Sequence, residues 1–197
     1  MEQELKAAYQ FDFVYDGQSV FRQILHAMAN PGKKGSIAEE ASRFGGEYGA
    51  LLAIGCTLLD NEEIMYVEKN PRLSQELHSL TLSRPGSLTD ADYVFLSSEM
   101  NYGTLEQILK KVKKGTYVDP QQSATILFSC RQIDGSGEMT LEGPGIDGKI
   151  HISVNPYIKK IIEIRQTMET EYPLGTDLIF ADLQGNLLCV PRLCRIA

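Results

Sequence analysis

Six residues stand out for the chemistry their types could do: Arg22, His26, Gly143, Gly145, Asp177 and Arg192. Arg22 and His26 are four apart in "QSVFRQILHAMANPG", so on a helix they share a face, where both could donate to an anion or a partner. In "EGPGIDG", Gly143, Gly145 and Gly148 are close enough for backbone N–H groups to converge on an anion. A plain turn between two strands, with glycine supplying positive φ, is the reading those residues favour. Arg192 follows Pro191 at the end of an apolar run. Its planar fork suits phosphate or carboxylate oxygens. If it belongs to the fold instead, a carboxylate such as Asp177 or Glu171 would claim it; a role facing an anion or a partner is the favoured reading.

No catalytic set accompanies these residues. There are three histidines, no His-x-x-x-His and no Cys-x-x-Cys, so metal ligation is poorly supported. The chain lacks a Gly-x-Ser-x-Gly elbow, a phosphate loop ending in Gly-Lys-Ser/Thr, and a Gly-x-Gly-x-x-Gly fingerprint. No catalytic residue and no metal ligand is nominated.

The elements that must position the six follow from composition and pattern. A chain of 197 residues, 43% hydrophobic and 23% charged, suits a single domain over residues 1–197 with a core that needs no staples. The net charge of −7 argues against a general affinity for nucleic acid or anionic membrane, so an anionic ligand would need a local cluster of cations. The opening "MEQELKAAYQ" is charged where a signal peptide is apolar, and no apolar run approaches the ~18 residues of a membrane span. A soluble, cytoplasmic protein is expected. The four cysteines read as buried free thiols. The one basic run, "KKVKKG", reads as cations closing a helix and solvating its face, with a phosphate-binding patch as the less favoured alternative.

Helical spacing puts Val20, Phe21, Ile24, Leu25 and Met28 on one apolar face of a first helix capped by Ser19 and ended by Pro31-Gly32. "GEYGALLAIGCTLLDNE" is apolar nearly all round, as a buried helix is. Asn70-Pro71 and Asn155-Pro156 each start a helix, and a further helix lies in "NYGTLEQILKKVKKG". Strands are expected in "EIMYVEK", "ADYVFLS", "SATILFSC", "GEMTLEG", "GKIHISV", "DLIFAD" and "NLLCVP", the last two as a hairpin about Gln184-Gly185. Helices and strands alternate first, and strands then follow one another. That order predicts an α/β fold, a three-layer α/β/α sandwich on a mixed sheet.

"QSVFRQILHAMANPG", "TLLD" (57–60), "GPGI" (143–146) and "YPLGTDLIFADLQGNLLCVPR" occur in that order. Together they resemble the PhnH family, subunits of the bacterial carbon–phosphorus lyase machinery. Phe21-Arg22, Met28, Pro31-Gly32, Pro173-Leu174-Gly175, Asp177 and Pro191-Arg192 match the family pattern; Leu193 and Cys194 stand where it usually has two threonines. The resemblance implies a fold similar to the large domain of pyridoxal-phosphate-dependent transferases, without the cofactor. Here no lysine follows a Ser-x-x or Thr-x-x, and most lie in polar turns or at helix ends; no cofactor is expected. The resemblance also implies an accessory subunit beside PhnG-, PhnI- and PhnJ-type partners, a homodimer when isolated. The assembly would make alpha-D-ribose 1-methylphosphonate 5-triphosphate from ATP and a phosphonate. The alternatives are a free-standing homodimeric enzyme and a ligand sensor, either binding a nucleotide or phosphonate in an interface cleft.

Overall fold

A computed structural model describes residues 9–168 and 170–197. Its centre is a seven-stranded mixed sheet. The strands are β1 (Lys34–Ser36), β2 (Ile64–Val67), β3 (Arg84–Pro85), β4 (Tyr93–Leu96), β5 (Thr125–Cys130), β8 (Asp177–Asp182) and β9 (Asn186–Val190), in the order β1-β9-β8-β5-β4-β2-β3. From β3 to β8 neighbours run parallel, while β9 pairs antiparallel with both β8 and β1. β6 (Gly137–Glu142) and β7 (Ile150–Val154) form a hairpin outside this sheet, and β10 (Arg195–Ile196) joins them in a three-stranded antiparallel sheet.

Among the described residues the α-helices are α1 (Tyr15–Ala29), α2 (Ala38–Ser42), α3 (Gly49–Leu58), α4 (Pro71–Thr81), α5 (Tyr102–Lys111) and α6 (Pro156–Thr167). Alternate residues of the central strands serve two cores, as the pleat requires. Met65, Phe95, Leu127, Ile179 and Cys189 face α1, α3 and α4. Val94, Ile126, Phe128, Phe180 and Val190 face α5, α6 and the small sheet. Helices therefore cover both faces of a mixed sheet, as the element order predicts. The small sheet is an addition to one outer layer that the sequence pattern does not reveal. Two-residue β3 and β10 and three-residue β1 are also too short to leave a period.

The asparagine caps are where their Asn-Pro signatures put them. Asn70 accepts from the Leu73 N–H (3.1 Å) and Asn155 from the Tyr157 N–H (2.8 Å). The first helix differs from expectation in two ways. It begins a turn before Ser19, because the Asp12 carboxylate accepts from the N–H groups of Val14 (2.8 Å) and Tyr15 (2.9 Å). Its buried stripe is Val20, Ile24 and Ala27, whereas Phe21 is 48% and Leu25 56% exposed. The sequence offers two overlapping apolar faces at helical spacing, and only one of them can point at the sheet. Among the described residues, no helix is long and apolar enough to cross a membrane.

Candidate functional site

The chain leaves β9 at Val190, turns at Pro191 and passes through 191–195 into β10. Pro191 lies just past the strand's end, where its missing N–H costs no ladder bond. This crossing segment forms the wall between two depressions. The larger, about 590 Å³, is bounded by Lys114 after α5, Glu142 and Gly143 of the β6–β7 turn, Arg165 of α6 and the loop carrying Tyr172. The smaller, about 480 Å³, lies between Met28 and Ala29 of α1 and the turn at Gly145. Arg192, Leu193 and Pro144 line both.

Arg192 is held on three sides. Its guanidinium pairs with Asp177 Oδ2 (3.0 Å), its backbone N–H donates to Asp177 Oδ1 (2.7 Å), and its Nη1 donates to the Pro120 carbonyl. Its side chain is 21% exposed and that of Asp177 15%. The carboxylate proposed as a structural partner is therefore the one it meets, while one edge still reaches the clefts. The strand end that carries it is not the usual ligand crevice of an α/β sheet. That crevice lies outside the carboxyl ends of the parallel strands. β9 runs against them, with Val190 opposite Leu178, so Arg192 emerges beside the amino ends of β5 and β8. The sequence shows a strand but not its direction.

Arg165, which no motif marks, is the most fully used cation in the region. It is buried, and its Nη1 donates to the carbonyls of Thr176 (3.3 Å), Val190 (2.9 Å) and Pro191 (3.0 Å) while Nη2 donates to that of Cys194. One guanidinium thus ties both ends of the crossing segment to α6. Burial pulls its pKa down to about 10, so it stays charged at neutral pH. Only its helical position beside buried Ile161, Ile162 and Ile164 hinted that it points inward.

Lys114 departs from the solvated lysine cluster expected of "KKVKKG". Lys110 and Lys111 do close α5 on the surface, and Lys110 pairs with Glu106 in the preceding turn. Past the helix end the chain turns inward. Lys113 pairs with Asp92, and Lys114 lies half-buried in the wall of the larger cleft, its Nζ donating to the Leu109 carbonyl. Burial lowers its pKa to about 8. Lys114 is thus an exception among lysines that lie mostly in polar turns or at helix ends.

Gly143 and Gly145 are turn residues that also allow close approach. A Cβ on Gly143, at φ +139°, would lie 2.8 Å from the Leu193 carbonyl oxygen, and one on Gly145, at φ +84°, 2.5 Å from that of Ala29. They press the turn against the crossing segment and the end of α1. Asp177, Arg192, Gly143 and Gly145 are thus brought together. Arg22 and His26 are not with them; both are exposed on α1, beside Phe21 and Leu25. Cys130, Cys189 and Cys194 are buried free thiols and Cys56 is half-buried. Burial pushes the Cys130 and Cys189 thiols up to about 12, far from nucleophilic thiolates. No group of three or more His, Cys, Asp or Glu able to hold a metal occurs among the described residues.

The fold and site thus define an α/β protein with a cleft walled largely by cationic side chains. The family model for bacterial phosphonate metabolism protein (PhnH) matches residues 9–197. The chain belongs to that family. It is 22% identical over 185 residues, 94% of its length and 92% of the relative's, to alpha-D-ribose 1-methylphosphonate 5-triphosphate synthase subunit PhnH of Rhizobium meliloti (strain 1021). It is 25% identical over 181 residues, 91% of its length and 85% of the relative's, to a Stutzerimonas stutzeri protein provisionally named as C-P lyase subunit HtxG.

Proposed function

We propose that the chain is an accessory subunit of the carbon–phosphorus lyase core complex, acting in the cytoplasm in organic phosphonate catabolism. Its place would be beside PhnG-, PhnI- and PhnJ-type subunits, supporting synthesis of alpha-D-ribose 1-methylphosphonate 5-triphosphate from ATP and a phosphonate. The observation that carries this reading is the family match over residues 9–197. Relatives named as a synthase subunit and a C-P lyase subunit align with more than nine-tenths of the chain.

The surface of α1 supports a protein built to be covered. Phe21 and Leu25, four apart, expose large apolar side chains on the face that also carries Arg22. Apolar anchors beside an arginine are typical of interface cores. In the complex this stripe would meet a partner subunit. In the isolated protein it would meet a second copy, giving the expected homodimer. The likeness to the large domain of pyridoxal-phosphate-dependent transferases belongs to the same proposal, and the mixed sheet with helices on both faces is compatible with it.

The test is co-expression with the other lyase subunits followed by size-exclusion chromatography and an assay of adenine release from ATP and methylphosphonate. Co-elution is expected, with activity in the complex and none in the chain alone. Adenine release by the purified chain, at a rate proportional to its concentration, would favour the free-standing enzyme instead.

A further inference from the structure

The larger cleft has a charge imbalance that the fold does not require. Among the described residues its walls carry four cations, Lys114, Arg165, Arg192 and Arg195, against one carboxylate, Glu142. Two of the four are spoken for by carboxylates: Arg192 by Asp177 (3.0 Å) and Arg195 by Glu142 (2.8 Å). Glu142 is also shared with Lys149 at 3.8 Å. Among the described residues, Lys114 and Arg165 have only carbonyl oxygens as hydrogen-bond partners.

A buried cation without a counter-ion is costly, and lysine and arginine are seldom buried unless paired. Arg165 offsets that cost with four carbonyls. Lys114 has one, the Leu109 carbonyl, which uses one of the three donors of an ammonium. Its remaining donors belong to a half-buried group in the wall of a cleft open to solvent. The lowered pKa agrees with an amine paying for desolvation without an anion beside it.

We propose that this cleft binds a phosphoryl or phosphonyl oxyanion, with Lys114 as its principal ligand-facing charge and Arg165 fixing the surrounding wall. The oxyanion supplies the counter-charge that Lys114 lacks among the described residues. The cleft, about 590 Å³, is much larger than a lone phosphate and falls within the range of small-molecule sites. Leu109, Tyr172 and Leu193 give it apolar surface for an organic substituent. The same charge would serve a free phosphonate or a nucleotide's phosphate chain. The site stands on the cleft's own residues, so it does not depend on the subunit assignment.

Isothermal titration calorimetry of the full chain with inorganic phosphate, methylphosphonate and ATP tests it. At least one probe should bind with Kd below 1 mM. Lys114→Met should weaken that binding at least tenfold, and Lys114→Arg, which keeps the charge, should weaken it less. Lys114→Met should melt no lower than the parent, because it removes a desolvated charge, and should still co-elute with the other lyase subunits. ATP binding at least tenfold tighter than either small anion would identify a nucleotide site; comparable affinities would identify a site for the lone oxyanion. No binding of any probe at 10 mM, or equal affinity in the parent and Lys114→Met, overturns the proposal. If Lys114→Met fails to fold, Lys114→Arg decides: binding lost despite the retained charge overturns it, and binding retained supports it.

Discussion

Two regions hold the residues whose types first suggested function, and they use them in opposite ways. On α1, Phe21, Arg22, Leu25 and His26 point outward and contribute little to the core. Around the 191–195 crossing, two arginines are tied into the structure: Arg192 binds Asp177 and the Pro120 carbonyl, and Arg165 binds four carbonyls. The first region is a surface that other molecules can cover. The second must be intact before there is a cleft at all. Loss of a charge should therefore be felt as stability in the crossing and as association on α1.

The largest effect is expected at Arg165. Arg165→Ala strands four carbonyls and opens a void beside α6. The cost should match breaking a buried ionic contact, about 3–5 kcal/mol. For a chain of this size that is a fall in melting temperature of roughly 6–20 °C by calorimetry. Arg192→Ala should follow at about 1–3 kcal/mol, because half-buried Asp177 keeps one backbone N–H as a donor but loses its counter-ion. Adding Asp177→Asn should recover part of the loss by removing the stranded charge. A fall in Arg192→Ala no larger than in Arg22→Ala would break the distinction between the two regions.

How much of this was readable in advance depended on whether a signal was local. The Asn-Pro starts, the apolar α3, the β8–β9 hairpin and the mixed α/β plan all follow from patterns within 20 residues, and the structure has them. The face of α1 was misread because Val20-Phe21 and Ile24-Leu25 are adjacent apolar pairs, and a period of 3.6 does not say which member faces the sheet. Arg165 carries no motif and Lys114 only a basic run that reads as solvated; their roles arise from chain segments 11 to 29 residues away in the first case and from a turn past a helix end in the second. The placement of Arg192 beside Asp177 was anticipated as one of two options, but the direction of β9 was not. Direction comes from the topology of the whole sheet, and no residue in "NLLCVPR" encodes it.

A smaller effect, with a definite sign in pH, should come from Lys114. Its folded pKa, about 8, lies below the 10.5 of an exposed lysine. Between those values the unfolded chain binds the extra proton, so stability rises with pH through that window. Below about pH 8 both states are protonated and the penalty is fully present. A shift of that size is worth at most ~3 kcal/mol, and about 1–2 kcal/mol after discounting the part of the amine that water screens. Half-buried tyrosines oppose this trend above pH 10, since Tyr9, Tyr66 and Tyr93 have pKa values pushed up to about 12. The measurement is therefore a difference, parent minus Lys114→Met, in denaturant midpoints from pH 7 to 10. It should climb by 1–2 kcal/mol over that range and flatten when a bound oxyanion keeps the amine charged. A flat difference without ligand would mean that Glu142, or water in the cleft, already compensates the charge.

The smallest effect on stability should come from the α1 surface, and there the comparison is sharpest. Phe21→Gln and Leu25→Gln each exchange an exposed apolar side chain for a polar one on a helix whose buried stripe is Val20, Ile24 and Ala27. Glutamine is a good helix former, and surface changes of this kind usually fall within about 0.5 kcal/mol. Melting temperature should move by no more than about 2 °C. Association should respond far more, because a large apolar side chain that becomes desolvated in an interface centre commonly contributes 2 kcal/mol or more. The double variant is therefore expected to melt like the parent, to elute later from a sizing column if the isolated protein is a homodimer, and to lose incorporation into the lyase assembly. Arg22→Ala should weaken incorporation less, since a rim charge acts mostly on the rate of encounter. The order would be reversed if Phe21 and Leu25 were covered by another part of this chain in solution. The double variant would then lose several degrees of melting temperature while its elution stayed that of the parent, and α1 would belong with the crossing segment as fold.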